Sequence, residues 1–162
     1  MKAAALALAL LLSGCGLRPL YSAGSSGPVA AALAGVEVAP IPGRAGWLVR
    51  TELEDRLGRR GGAPRYRLQV ALDDRLEGLG VRADDAVTRE RRTLRARFQL
   101  VDAANGQVLL DDTRGTDAGI DVVGSQYATI AAEQTALERL AADVADQIVA
   151  RLATYARNTG PR

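Results

Sequence analysis

The chain contains no histidine, one cysteine (Cys15) and one lysine (Lys2). Lack of histidine removes the commonest general base and the commonest transition-metal ligand. A lone cysteine has no internal disulfide partner, and in an exported protein a leftover thiol is a liability. Aromatic residues are few, with one Trp, four Tyr and one Phe, too sparse for a platform that stacks nucleic-acid bases. Beyond Lys2 every positive side chain is an arginine, 20 of them against 19 acids. That near balance gives no whole-molecule attraction to nucleic acid, so only local clusters can bind anions. These absences argue against an enzyme, against a metal or other cofactor, and against a nucleic-acid partner.

What the amino terminus does contain explains the cysteine. Met1-Lys2 supplies positive charge, and Ala3 to Leu12 is an unbroken run of alanine and leucine. Ten helical residues rise only about 15 Å, half of a hydrocarbon core. Residues 1–14 therefore read as a signal peptide rather than a membrane span. Leu12-Ser13-Gly14-Cys15 resembles a bacterial lipobox. In that motif the cysteine sulfur takes a diacylglyceryl group and, after cleavage, the new amino terminus is acylated. The competing reading is an ordinary secreted protein with a free thiol. Two or three acyl chains anchor stably where one does not. Gly16, in place of aspartate, points to the outer membrane.

The 148 residues from Cys15 to Arg162 suffice for one domain with a real core. Residues 15–34, rich in glycine, serine, alanine and proline, are expected to be a lipidated terminus and tether, followed by a domain over 35–158 and a tail at 159–162. Val36–Ile41 alternates and then meets Pro40 and Pro42, a short strand with a hard stop. Residues 47–60 read as a helix on the stripe Val49, Leu53, Leu57, extended by Trp47 or Leu48 and closed by Gly61-Gly62. Tyr66–Leu72 alternates strictly, and Leu76 rejoins the same face. Residues 78–86, with Gly78, Gly80 and Asp84-Asp85, are expected to turn the chain. Residues 87–102 predict a third strand with Leu94, Ala96, Phe98 and Leu100 inward. Asn105-Gly106 predicts a hairpin into a fourth strand over 107–113. Residues 114–124 are glycine-rich and expected to be irregular. Ser125 is a candidate N-cap for a long helix through Ile130, Leu137, Leu140, Val144, Ile148, Leu152 and Tyr155, with Ala131 and Ala141 filling in. The resulting order is β-α-β-β-β-α. It predicts an α+β fold, a small, mostly antiparallel four-stranded sheet with two helices on one face and the first pair parallel.

The pieces together resemble a known family. A lipobox cysteine is followed by "GLRPLY", then a "RYRLQVAL" strand, a "TRERRTLRARFQLVD" strand turning at "NGQVLL", and "SQYATIAAEQTALERLAADVADQIVARLATY". This is similar to the alphaproteobacterial form of LptE, the lipopolysaccharide-assembly lipoproteins. The resemblance implies a protein at the inner leaflet of the outer membrane that plugs a large β-barrel partner, LptD, and helps deliver lipopolysaccharide. It also implies a small sheet carrying two helices. The rival is an auxiliary lipoprotein of a phospholipid-transport complex. A third option, a hydrolase built on carboxylates, would need two convergent acids.

Arg89, Arg91, Arg92, Arg95 and Arg97 form the densest positive cluster. Four of them, all but Arg92, share strand parity. Guanidinium groups grip phosphates bidentately, and lipid A carries phosphates, so the cluster is a candidate lipopolysaccharide site. The plainer alternative is a solvated face paired with Asp73, Asp74 and Glu77. Asp73-Asp74, Asp84-Asp85 and Asp111-Asp112 are adjacent pairs, and strand neighbours point to opposite faces, so they are not expected to converge. Gly58–Gly62 lies at a helix carboxyl end, where the dipole disfavours anions. Ser125 and Tyr127 lack a nearby base and are expected to serve capping and helix packing, with contact to a partner as the alternative for Tyr127 and Tyr155, which bracket the last helix.

Overall fold

Period-two alternation puts Leu94, Ala96, Phe98 and Leu100 on one side of a strand. The structure, a computed structural model, describes residues 28–58, 63–81 and 87–159 and buries all four. In chain order the elements are α1 (Pro28–Leu33), β1 (Val36–Val38), α2 (Gly43–Leu57), β2 (Tyr66–Val81), β3 (Val87–Asp102), β4 (Val108–Asp121) and α3 (Gln126–Thr159). The fold is α+β, and the sheet order is β1-β2-β3-β4. β1 runs parallel to β2, with Val36 opposite Tyr66, and the two remaining pairings are antiparallel. A parallel pair needs a crossover, and α2 provides it.

α2 buries Gly46, Val49, Leu53 and Leu57 at helical spacing. It starts four residues before the expected Trp47 and stops at Leu57, because Gly58 takes a left-handed φ of 67° and donates its N–H to the Glu54 carbonyl. Leu48 packs against the core. Trp47 does not extend the apolar stripe and is 65% exposed. α3 is 34 residues long, about 50 Å. Its stripe of Leu137, Leu140, Ala141, Val144, Ala145, Ile148, Val149, Leu152 and Ala153 covers β3 and β4 and packs against α2. The Ser125 hydroxyl accepts from the Ala128 N–H at 3.5 Å, the expected cap. Ile130 and Ala131 are exposed, so the stripe begins one to two turns later than its spacing suggested.

Three segments differ from the sequence expectation. β2 continues as strand to Val81, past Gly78 and Gly80 where a turn was expected, because β3 pairs with it along that length. β4 runs unbroken through the glycine-rich stretch to Asp121 instead of ending at 113. Its glycine at 115 answers a packing need: a Cβ there would sit 3.0 Å from the Arg95 Cγ and 3.1 Å from the Leu94 carbonyl. Buried Ile120 holds the far end of the strand. The described fold also begins at Pro28, before Val36, with α1 tucking Leu33 into the core and resting on α3. Between β3 and β4, Asp102 and Asn105 side chains accept from the Ala104 and Gln107 N–H groups, and Gly106 at φ 75° donates to the Asp102 carbonyl. The expected signal segment 1–14, Cys15, Asp84-Asp85 and Arg59–Gly62 lie outside the described residues.

Candidate functional site

Among the described residues the helices cover one face of the sheet and leave the other open. On β3 the odd-numbered side chains point outward, which places Arg89, Arg91, Arg95 and Arg97 in one column. Arg92 has the opposite parity and faces the helices. There it forms a bidentate pair with Asp74 at 2.9 and 2.7 Å, and its third arm reaches the Glu133 carbonyl at 3.1 Å. The five arginines are therefore divided between two faces, four outside and one inside.

The charges that balance the outer column come mainly from β4. Asp121 pairs with Arg89 at 3.1 Å and Asp117 with Arg91 at 3.7 Å. Asp111 takes two bonds from Arg97, at 3.1 and 2.7 Å, and a third from the Gln99 amide at 2.8 Å. On β2, Asp73 lies opposite Arg95 in register but bonds Arg75 on its own strand at 3.0 Å. Arg95 is left with no carboxylate in ion-pair range among the described residues, its stem lying over Gly115. The face is thus an arginine column beside an aspartate column, with Arg95 uncompensated among the described residues. Exposed pairs of this kind contribute about 0–1 kcal/mol each, so an incoming anion competes with them at little cost.

The Arg97 and Gln99 hydrogen bonds hold the Asp111 carboxyl down at about 2, against 3.8 unperturbed. A carboxyl depressed in the folded state adds stability above its unfolded pKa and loses it as pH falls through the folded value. The Asp111 contribution is accordingly complete above about pH 4 and gone near pH 2, and it is small because the group faces solvent. Arg97→Gln is expected to move the Asp111 midpoint up toward 3.8, read by carboxyl NMR titration. A midpoint that stayed near 2 would show that Arg97 is not the cause.

Two further ion pairs fasten the helices and leave little for chemistry. Asp112 on β4 accepts from Arg151 of α3 at 2.8 Å and from Arg114 at 3.1 Å, and its carboxyl is lowered mainly by Arg151. Arg56 of α2 bonds Asp146 of α3 together with Glu52 of its own helix, and its pKa is raised by them. Asp73 and Asp74 serve different partners on opposite faces, as do Asp111 and Asp112. Among the described residues no group of three His, Cys, Asp or Glu is placed to hold a metal ion. No described helix is long and apolar enough to cross a membrane.

One surface was only partly legible. Tyr127, expected to pack or else to meet a partner, is 87% exposed, and Val123 and Ile130 are exposed beside it in sequence. Gln126–Thr135 carries a single charge, Glu133, although most of it faces solvent. That scarcity of charge on an exposed helix was the available signal.

Comparison with known proteins places this architecture. A family profile described as LptE, Lipopolysaccharide-assembly, matches residues 33–152. A crystal structure of a putative lipoprotein from Caulobacter crescentus CB15 is 31% identical and superposes with a TM-score of 0.71. The match covers 84% of this chain and all of that one. A minor lipoprotein from Acinetobacter baumannii is 16% identical over 74% of this chain and 90% of its own, with a TM-score of 0.59. Rare lipoprotein B from Shewanella oneidensis is 14% identical over 76% and 96%, with a TM-score of 0.55. The last two share the fold. Among curated proteins none matches the sequence.

Proposed function

The chain belongs to the LptE lipopolysaccharide-assembly family, and on that footing we propose that it is a non-enzymatic, lipid-anchored protein of the outer membrane, on its periplasmic side. In this reading residues 1–14 are a signal peptide and Cys15 carries the diacylglyceryl and N-acyl groups. The folded body docks into an LptD-like β-barrel and assists lipopolysaccharide assembly.

The observation that carries the docking is the open sheet face. Three strands of 14 to 16 residues present mainly arginine, aspartate, glutamine and threonine outward, and the large apolar side chains that share this face, Leu79 at one end and Val101 and Val108 at the other, lie away from its middle. Such a face must stay wet or meet a polar wall, and the interior of a large barrel is polar. The uncharged start of α3, with Tyr127 and Ile130 exposed, supplies the apolar contact that a polar face cannot. For lipopolysaccharide itself, Arg95 is the phosphate ligand best placed. Arg89, Arg91 and Arg97 can join by exchanging an aspartate for a phosphate, whereas Arg92 is committed to Asp74 and Glu133.

The experiment is a pull-down of the processed protein from outer membranes, with the partner identified by mass. A stoichiometric large barrel is expected. A phospholipid-transport complex in its place would overturn the reading, as would an unmodified Cys15 in a freely diffusing product. Arg95→Glu is expected to weaken lipopolysaccharide binding about tenfold, the scale of one charge-assisted contact. Unchanged binding with an intact fold would remove the arginine column from the account.

A further inference from the structure

Where α1, the start of β1 and the end of α3 meet, there is a cavity of about 550 Å³ whose apolar wall includes Leu33, Val36, Leu100, Leu152 and Tyr155. No carboxylate lines it, and its two charged side chains are both arginines, Arg65 and Arg157. We propose that this cavity binds a single-chain amphiphile with an anionic head, a fatty acid or a lysophospholipid, and that Arg65 holds the head group. The cavity lies on the helix side of the sheet, away from the arginine column, and needs neither the lipid on Cys15 nor a barrel partner.

The charge pattern is the first support. Arg67, two residues along, has Glu37 at 3.6 Å. Neither Arg65 nor Arg157 has a carboxylate in ion-pair range among the described residues. A free guanidinium beside an apolar wall is an open seat for a carboxylate or a phosphate.

Rigidity is the second. Arg65 precedes β2, yet its backbone is fastened on both sides. Its N–H donates to the Gly35 carbonyl at 3.0 Å, and its carbonyl accepts from the Ala103 N–H at 3.0 Å. Its guanidinium carbon lies 5.2 Å from the centre of the Tyr66 ring, and Tyr66 lines the same cavity. Stacking on a ring face steadies the cation and leaves its N–H donors free.

Size is the third. The volume is in the range of sites that hold a drug-sized molecule, room for one acyl chain and not for a lipid with several. Each methylene buried against such a wall favours binding, so the chain supplies affinity and the head group sets direction. The carboxyl end of α3 is the unfavourable side for an anion, and Arg157 in its last turn offsets that end. The head group therefore belongs with Arg65, on the strand side.

The test is photolabelling of the full chain with laurate that carries a diazirine on its tail. Trypsin cuts after Arg151, and the label is expected on the peptide that begins at Leu152, located by mass. Label spread evenly along the chain overturns the proposal. So does its absence from that peptide, as when another part of the chain fills the cavity. Laurate and lysophosphatidate are expected to compete at least about tenfold better than dodecyltrimethylammonium, the ratio that one charge-assisted contact gives. Whichever anion competes more strongly names the source, free fatty acid or lysophospholipid, and either supports the proposal. Equal competition by the cationic amphiphile overturns it. Full competition by inorganic phosphate also overturns it, because the apolar wall would then play no part. Arg65→Gln is expected to weaken labelling about tenfold and Arg157→Gln by less, with the fold intact by circular dichroism because both side chains are exposed. Equal labelling of Arg65→Gln and the parent overturns the assignment of the head group. The competition series uses the unaltered chain, so it decides the matter even if a variant misfolds. Failure of the barrel pull-down leaves every one of these readouts intact.

Discussion

Phe98→Ala is expected to cost about 3–5 kcal/mol of folding stability. Phe98 is the only phenylalanine, it sits in the second half of the 16-residue β3, and it is fully buried. Its strand is central, with Val70 of β2 on one side and Asp112 of β4 on the other. It belongs to the one core cluster that also takes in Leu53 of α2 and Ile148 of α3. Cutting the ring away removes apolar contact and leaves a space that a pleated strand between two neighbours cannot close by sliding. Since a domain of this size is held by about 5–15 kcal/mol in total, much of the margin would go. Urea unfolding should show the midpoint lowered by roughly 2 M with little change in slope. A loss below about 1 kcal/mol would mean that the helices do not bear on this ring. The functional consequence would be lower abundance, with the arginine column unchanged on whatever remains folded.

Gly46→Ala is expected to destabilise, against the usual sign. In an exposed helix interior the change gains about 1 kcal/mol, because alanine loses less backbone entropy. Gly46 is inside α2 but is buried, and an added Cβ would lie 2.5 Å from the Ile41 carbonyl oxygen and 2.7 Å from its carbon. Both are backbone atoms, so rotating a side chain gives no relief. Ile41 is itself flanked by Pro40 and Pro42, whose fixed φ values limit how far that turn can give. The helix must move away from its own lead-in, at a cost of roughly 1–3 kcal/mol typical of overpacking. Gly119→Ala serves as the contrast. Nothing lies within 4 Å of its added Cβ, and a neutral effect or a small gain is expected. Thermal melts of the two variants beside the parent would decide it. An unchanged or raised midpoint for Gly46→Ala would show that the turn at Ile41 is looser than its prolines imply.

The sequence by itself determined which side of each element faces inward. Alternation in Tyr66–Leu72 and Leu94–Leu100, and the three-four spacing through α2 and α3, are local properties of the chain, and local geometry alone converts them into faces. It also determined the parallel first pair and the hairpin at Asn105-Gly106, because a helix must bridge one connection and a short turn the other. How much of each face is covered was decided by the tertiary structure. Tyr127, Ile130 and Leu76 have the right periodicity but lie where no second layer reaches them, whereas Leu33 precedes the expected domain and is buried because α3 passes over it. Gly115 and Gly119 read as loop formers, but β3 supplied a full row of hydrogen-bonding partners, and one of the glycines was needed for a close approach. The arginine column was visible as parity. Its counterions were not, since whether an arginine meets β2 or β4 depends on register and on which aspartate another arginine has already taken. Periodicity is a property of one strand, whereas coverage and charge pairing belong to the strands and helices that settle beside it.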